Sequence, residues 1–255
     1  MHMAADQDVI RVWKDEYAIH SYEVDSRGCV TLTMLCQFMQ ESAWNHAQHL
    51  GVGYSHLIEK NLLWVLARQL VAISSFPRWG ERIRVHTWPT GKDRLFCYRD
   101  FKLLNDQDQV IGAATTTWFV IDVMKRKPQR ANSYFDVVIE NAEHVFSRKL
   151  AKIEPLRSKD RLNSVKVGYE DLDINEHVNN VRYIEWILES YPFEFQKHHR
   201  VREMEINYLS EARHDDTITA CCEEGNGLSF LHSLIRDNDG TELCRAKTNW
   251  AEDKS

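Results

Sequence analysis

No stretch of this 255-residue chain approaches the roughly 20 consecutive apolar residues that a membrane-crossing helix needs. The longest runs, such as WVLARQLVAI from Trp64, are broken by charge, so no membrane span is expected. Net positive charge is lacking too. Lys and Arg total 32 against 38 for Asp and Glu, a formal charge of -6, so no overall basic field exists to hold nucleic acid. The cysteines, Cys29, Cys36, Cys97, Cys221, Cys222 and Cys244, form no CxxC pair and no spacing that reads as a disulfide framework or a zinc site. They read as reduced, mostly buried small residues, and no metal or cofactor is expected. P-loop, GxSxG, HExxH and dinucleotide fingerprints are absent, which leaves nucleotide, serine-hydrolase, zinc-protease and NAD chemistry unsupported. The first residues, MHMAADQDVIRVWKDEY, have neither the basic-then-apolar layout of a secretory signal nor the Arg- and Ser-rich layout of a transit peptide, and a cytoplasmic location is expected.

What the chain does have is enough apolar material for a core, 43% hydrophobic residues, and an internal repeat. In the first half the helical run TLTMLCQFMQESAWNHAQHLG precedes WVLARQLVAISSFPRWGERIRVHTWPTG and LFCYRDFKLLNDQDQVIGAATTTWFVID. In the second half HVNNVRYIEWILESY precedes RVREMEINYLSEARHDDTITACCEEG and LSFLHSLIRDNDGTELCRAKTNWAED. Both read as one helix followed by four strands. Leu32, Leu35, Phe38 and Met39 in one helix, and Val181, Ile184, Ile187 and Leu188 in the other, recur at three- and four-residue spacing. Turn signals at Asn105-Asp106 and from Asp237 to Gly240 separate strands. The pattern predicts an α+β architecture, two long helices each wrapped by an antiparallel sheet. One unit is expected at residues 1–127, a second at 165–255, and an irregular linker over 128–164 crossing the outside.

The halves differ where each helix begins. Aligning VDSRGCV from Val24 with LDINEHV from Leu172 leaves one Asp in common, Asp25 with Asp173, and sets Arg27 and Cys29 against Asn175 and His177. Aligning WGERIRV with HDDTITA sets Phe76 against Glu211. The second half alone therefore gathers acid, amide, imidazole and acid. Those types suit hydrolysis of an activated acyl ester, which needs a base for water, an orienting amide, an imidazole and oxyanion donors. A helix beginning near Val178 would add free backbone N–H groups. Each residue alone has a plainer reading: Asp173 or Asn175 as a helix cap, His177 as an ordinary histidine, Glu211 as a solvated charge.

DINEHVNNVRYIEWILES resembles the DxNxHVNNxxYIxWxLES signature of the acyl-acyl carrier protein thioesterases of plants and bacteria, and MEINYLSEARHDD resembles the segment downstream in that family. The resemblance extends through both halves and implies a tandem hot-dog fold, with no cofactor. It implies that Asp173, Asn175, His177 and Glu211 are catalytic, with Tyr208 preceding that Glu. Plant members commonly carry a Cys after the Glu, where this chain has Ala212. Water attack assisted by Glu211, with Asp173 holding Asn175 and His177, is therefore favoured over an acyl-cysteine route, and attack by Asp173 itself stays open.

The same resemblance implies that the first half binds the acyl chain. Met34, Phe38, Met39, Trp44, Trp64, Phe96, Trp118 and Phe119 could line or end the tunnel, with ordinary core packing as the alternative at each. An acidic carrier protein would need a basic landing surface. Lys125, Arg126, Lys127 and Arg130 form one candidate, Lys197, Arg200 and Arg202 another, and either could be a solvated charge run. A homodimer is a further option. Competing functions on the same scaffold are an acyl-coenzyme A thioesterase, a non-catalytic acyl-binding module and a dehydratase.

Overall fold

The computed structural model describes residues 10–131, 140–158 and 160–253; the outermost residues of both expected units and part of the linker lie outside them. Periodic apolar spacing becomes helix α1 (Leu32–His49) in the first half and α3 (Asn180–Glu189) in the second. Side chains close both N-termini: Thr31 Oγ1 accepts the N–H of Met34 at 3.2 Å and Asn179 Oδ1 accepts that of Val181 at 3.0 Å. So α3 starts later than Val178, whose own N–H is bonded to the Ala212 carbonyl at 3.2 Å. The caps are Thr31 and Asn179, which leaves Asp173 and Asn175 with other work. Two short helices, α2 (Tyr54–Ile58) and α4 (Phe193–His198), follow the long ones.

The first half contributes strands β1 (Trp13–Ala18), β2 (Leu62–Ile73), β3 (Arg82–Lys92), β4 (Cys97–Leu104), β5 (Val110–Asp122) and the short β6 (Lys127–Pro128). The second contributes β7 (Asp160–Lys166), β8 (His199–Tyr208), β9 (Thr217–Glu224), β10 (Ser229–Arg236) and β11 (Glu242–Glu252). All join one antiparallel sheet in the order β1-β3-β4-β5-β2-β8-β11-β10-β9-β7, with β6 on β5. Reading β7, β9, β10, β11 and β8 for β1, β3, β4, β5 and β2 reproduces one half from the other. The halves meet where β2 pairs with β8, from Arg68 opposite Asn207 to Ala72 opposite Glu203.

Strand β7 lies partly within the expected linker, because its side chains are almost all exposed and carry no alternation to announce a strand. Residues 140–158 of the joining stretch are tied to the strands by hydrogen bonds. Val145 N–H bonds Asp100 Oδ2 at 2.9 Å, the Leu150 carbonyl accepts from Arg68 at 2.7 Å, and Ile153 N–H bonds Asn207 Oδ1 at 2.8 Å.

The two long helices share one apolar core: Leu35, Phe38 and Met39 of α1 belong to the same buried cluster as Val181, Ile184 and Ile187 of α3. Leu35 and Ile187 are fully buried, and truncating such a side chain to Ala costs about 2–5 kcal/mol. The core therefore binds the halves into a single body. Among the described residues no helix is long and apolar enough to cross a membrane.

Candidate active site

The loop that enters α3 is built around Asp173. Its Oδ1 accepts the backbone N–H of Asn175 at 2.8 Å and lies 3.4 Å from that of His177; its own N–H bonds the His177 carbonyl at 2.8 Å. Glu176 turns the chain with a φ of 61°. The loop entering α1 has the same design. Asp25 Oδ1 accepts from the N–H groups of Arg27 (2.9 Å) and Cys29 (3.2 Å), its own N–H bonds the Cys29 carbonyl at 2.8 Å, and Gly28 supplies the turn with a φ of 72°. The N–H of Val30 bonds the Pro77 carbonyl at 2.8 Å as that of Val178 bonds Ala212, so Phe76 and Glu211 do occupy equivalent places.

Identical backbones carry different chemistry. In the first half Asp25 Oδ2 accepts from Arg27 (2.8 Å) and Arg200 (3.2 Å), and both guanidiniums also reach Asp253, at 3.1 and 2.8 Å. Arg200 lies over the Phe76 ring at 5.2 Å. Burial works against the Asp25 charge, yet the Arg27 hydrogen bonds, the Cys29 N–H and the Arg200 charge hold its carboxyl below the usual range. In the second half Asp173 Oδ2 has no hydrogen-bond partner among the described residues.

The site residues separate into two groups. Asp173 and Asn175 line a cleft of about 200 Å³ that runs into the first half, where Trp44, Trp64 and Trp118 form part of its wall. Asn179 and Asn180 line it as well. His177 Nδ1 stands 3.5 Å from Glu211 Oε1, and Glu211 lines a separate recess of about 260 Å³ with Arg126, Ser210, Arg213 and Arg236. Tyr208 is a scaffold residue: its hydroxyl donates to the Asn180 carbonyl at 3.1 Å, and burial pushes its pKa well up. Tyr183 fixes the other side, accepting the Ala212 N–H at 2.9 Å. Neither His177 nor Glu211 lines the cleft, yet an imidazole beside a carboxylate is a pair that can move a proton between water and a leaving group.

Of the expected acyl-chain residues, Trp44, Trp64 and Trp118 reach the cleft and the others do not. Phe38 and Met39 are buried in the shared core with Met34 packed against it, while Phe96 and Phe119 meet edge to face at 6.3 Å outside the lining. Periodicity marked Phe38 and Met39 as buried without saying against what. The cleft also holds a residue that no pattern signalled. Arg99 donates to His46 Nδ1 and Thr87 Oγ1, both at 3.1 Å, and burial draws its pKa down to about 10. The second basic cluster does not survive as a surface. Arg200 is buried in the ion pairs just described and Arg202 donates to the Ser74 carbonyl at 2.7 Å, leaving Lys197 exposed. Lys125, Arg126, Lys127 and Arg130 are all exposed, and Arg126 Nη2 lies 3.7 Å from Glu211 Oε2.

Residues 11–136 match the family described as acyl-ACP thioesterase N-terminal domain, and residues 154–252 match the acyl-ACP thioesterase C-terminal domain. Oleoyl-acyl carrier protein thioesterase 1 of Arabidopsis thaliana is 30% identical over 95% of this chain and 77% of its own length. The chain belongs to the acyl-ACP thioesterase family. Palmitoyl-acyl carrier protein thioesterase of Gossypium hirsutum, also chloroplastic, is 27% identical over 94% of the chain, which spans 63% of that protein. An acyl-ACP thioesterase from Bacteroides thetaiotaomicron superposes with a TM-score of 0.87 at 28% identity, covering 94% of this chain and 98% of that one. The sheet with its two enclosed helices is thus the tandem hot-dog fold of the acyl-ACP thioesterases.

Proposed function

We propose that the chain hydrolyses the thioester of a fatty acyl group carried on acyl carrier protein and releases the free fatty acid. The observation that carries this reading is the cleft joining Asp173 and Asn175 of one half to the tryptophan wall of the other. The thioester carbonyl sits by Asn175 and the alkyl chain extends along the wall. His177 and Glu211 take a proton from water as its oxygen attacks the carbonyl carbon. The C–S bond then breaks, and the departing sulfur receives that proton from His177. Asp173 holds the loop through its two backbone hydrogen bonds.

A second reading gives Asp173 the attack. It is supported by Asp173 lining the cleft while its Oδ2 has no hydrogen-bond partner among the described residues. Burial of roughly 0.8 kcal/mol per methylene separates neighbouring chain lengths only a few-fold, so preference arises from steric exclusion at the cleft's end. The exposed basic turn, Lys125, Lys127 and Arg130 beside Arg126, is assigned as the carrier's landing surface, and the cytoplasm as the compartment.

Incubation with acyl-carrier thioesters from short to long should release free fatty acid, with His177→Ala and Glu211→Ala each slower by about 10²–10⁴-fold. Absence of release from every thioester would overturn the reading. Neutralising Lys125, Lys127 and Arg130 together should raise KM for carrier thioesters more than for coenzyme A thioesters. Equal losses on both would remove that surface from docking.

A further inference from the structure

Glu211 stands between the His177 imidazole and the Arg126 guanidinium and is hydrogen-bonded to neither. Its Oε1 is 3.5 Å from His177 Nδ1 and its Oε2 is 3.7 Å from Arg126 Nη2, both well outside the roughly 2.7–2.9 Å of a charge-assisted hydrogen bond. Its backbone is fixed, since its carbonyl accepts from Arg236 Nη1 at 3.2 Å and the next N–H is bonded to Tyr183. Only the side chain can choose. The carboxylate lines the recess with Arg126 and does not line the cleft that Asp173 and Asn175 share.

Arg126 comes from the other half of the chain. It ends the turn after β5, a turn set by Lys125 N–H on Asp122 Oδ1 at 2.9 Å and by Val123 N–H on the Asn61 carbonyl at 2.9 Å, and its own φ is 52°. Lys125 is engaged with Asp122 at 3.2 Å, so Arg126 is the cation of this turn that points to the site. Its side chain is 68% exposed. An ion pair that exposed is weak, and an acidic partner settling on the turn can displace it.

We propose that Arg126 is a positioning residue for the hydrolysis: it holds the Glu211 carboxylate in the recess, off His177, until an acidic partner docked on the basic turn takes its guanidinium. Glu211 then closes on His177 Nδ1. No bond other than hydrogen bonds and ion pairs is exchanged. The inference rests on the proposed reaction and makes the carrier part of the switch. A thioester without carrier meets a site in its restrained form.

The test compares wild type, Arg126→Gln and Arg126→Lys on acyl-pantetheine, which has no carrier, and on the acyl-carrier thioester. Arg126→Gln should raise kcat on acyl-pantetheine up to about fivefold with KM unchanged, the equivalent of the ~1 kcal/mol upper end for an exposed ion pair. On the carrier thioester it should leave kcat alone and raise KM. Arg126→Lys should restore wild-type behaviour. A fall in kcat on both substrates, or no change on acyl-pantetheine, overturns the proposal. The His177 ring signals in a ¹H–¹⁵N spectrum give a reading independent of turnover. Holo-carrier should move them in wild type, and Arg126→Gln should move them the same way without carrier. If they stay where they are in that variant, the restraint does not exist. If they move while no thioester is hydrolysed by wild type, the restraint stands and the proposed reaction falls.

Discussion

Asp25 and Asp173 hold the same turn in the two halves, each accepting the N–H two residues on, at 2.9 and 2.8 Å. They differ in what meets the second oxygen: Arg27 and Arg200 for Asp25, no described group for Asp173. The shared oxygen shapes the loop, and the other one distinguishes a structural carboxylate from one that lines a cleft.

Asn can replace the shared acceptor without the charge. Asp173→Asn should therefore keep its melting temperature within a few degrees and, where the carboxylate charge acts at the cleft beyond holding the loop, lower kcat at least about 10²-fold. Asp25→Asn should do the reverse. Loss of its ion pairs with Arg27 and Arg200 should cost about 2 kcal/mol by denaturant titration, with kcat within about twofold of wild type. Equal effects on stability and turnover at both positions would erase the distinction.

One thiol lines the cleft, Cys97, and burial pushes its pKa up to about 12. It stays protonated through the neutral range and is a poor nucleophile. Cys97→Ser should hydrolyse thioesters at close to the wild-type rate, and no acyl-cysteine should accumulate in mass spectra of quenched reactions.

Heavy oxygen in Asp173 is an isotope outcome that only attack by Asp173 can give. Turnover in H₂¹⁸O should place the label in the fatty acid and leave the peptide containing Asp173 unlabelled. Heavy oxygen in that peptide after many turnovers would establish a mixed anhydride and reverse the preference.

Two histidines set an acid limit on stability. His232 is buried with Tyr191 and Thr248 on its Nε2 at 2.9 and 3.0 Å, and burial lowers its pKa to about 3. His46 is lowered to about 4, by burial and then by the Arg99 charge. The unfolded chain binds protons at both below about pH 6.5 and the folded chain does not, so stability is complete above that pH and falls below it. Between pH 7 and 5 the loss should be about 2 kcal/mol per histidine in urea titrations. His232→Gln should flatten that slope by half, and an unchanged slope would mean that His232 titrates alike in both states.

Much of this architecture is legible in the sequence. The repeat, the two helices and the departure of DINEH from DSRGC follow from residue types alone, because periodicity and turn chemistry act locally. What escaped depends on long-range packing. Strand β7 has no alternation to read, since one edge of the sheet leaves it nearly all exposed. Lys197, Arg200 and Arg202 looked like one surface, yet a bulge opposite Asn249 and Trp250 breaks the alternation of β8, and Arg200 turns inward to Asp25 and Asp253. Phe38 and Met39 carry the right spacing for burial, and only the fold decides that they join the core shared with α3 rather than the cleft. Arg126 was readable as charge and not as a neighbour of Glu211, which lies far along the chain.

The pairing of β2 with β8 has a consequence for how such a site can change. Two separate copies of one hot-dog unit would be encoded by a single gene, so every substitution would occur twice. Here each half is written independently. Arg27 and Arg200 could fill one entrance with an ion-pair network while the other kept Asn175 and His177, and a cation from one half could be set beside an acid of the other. The entrance to the first half is instead a fastening for the end of β11, where the next residue, Asp253, is clasped by Arg27 and Arg200.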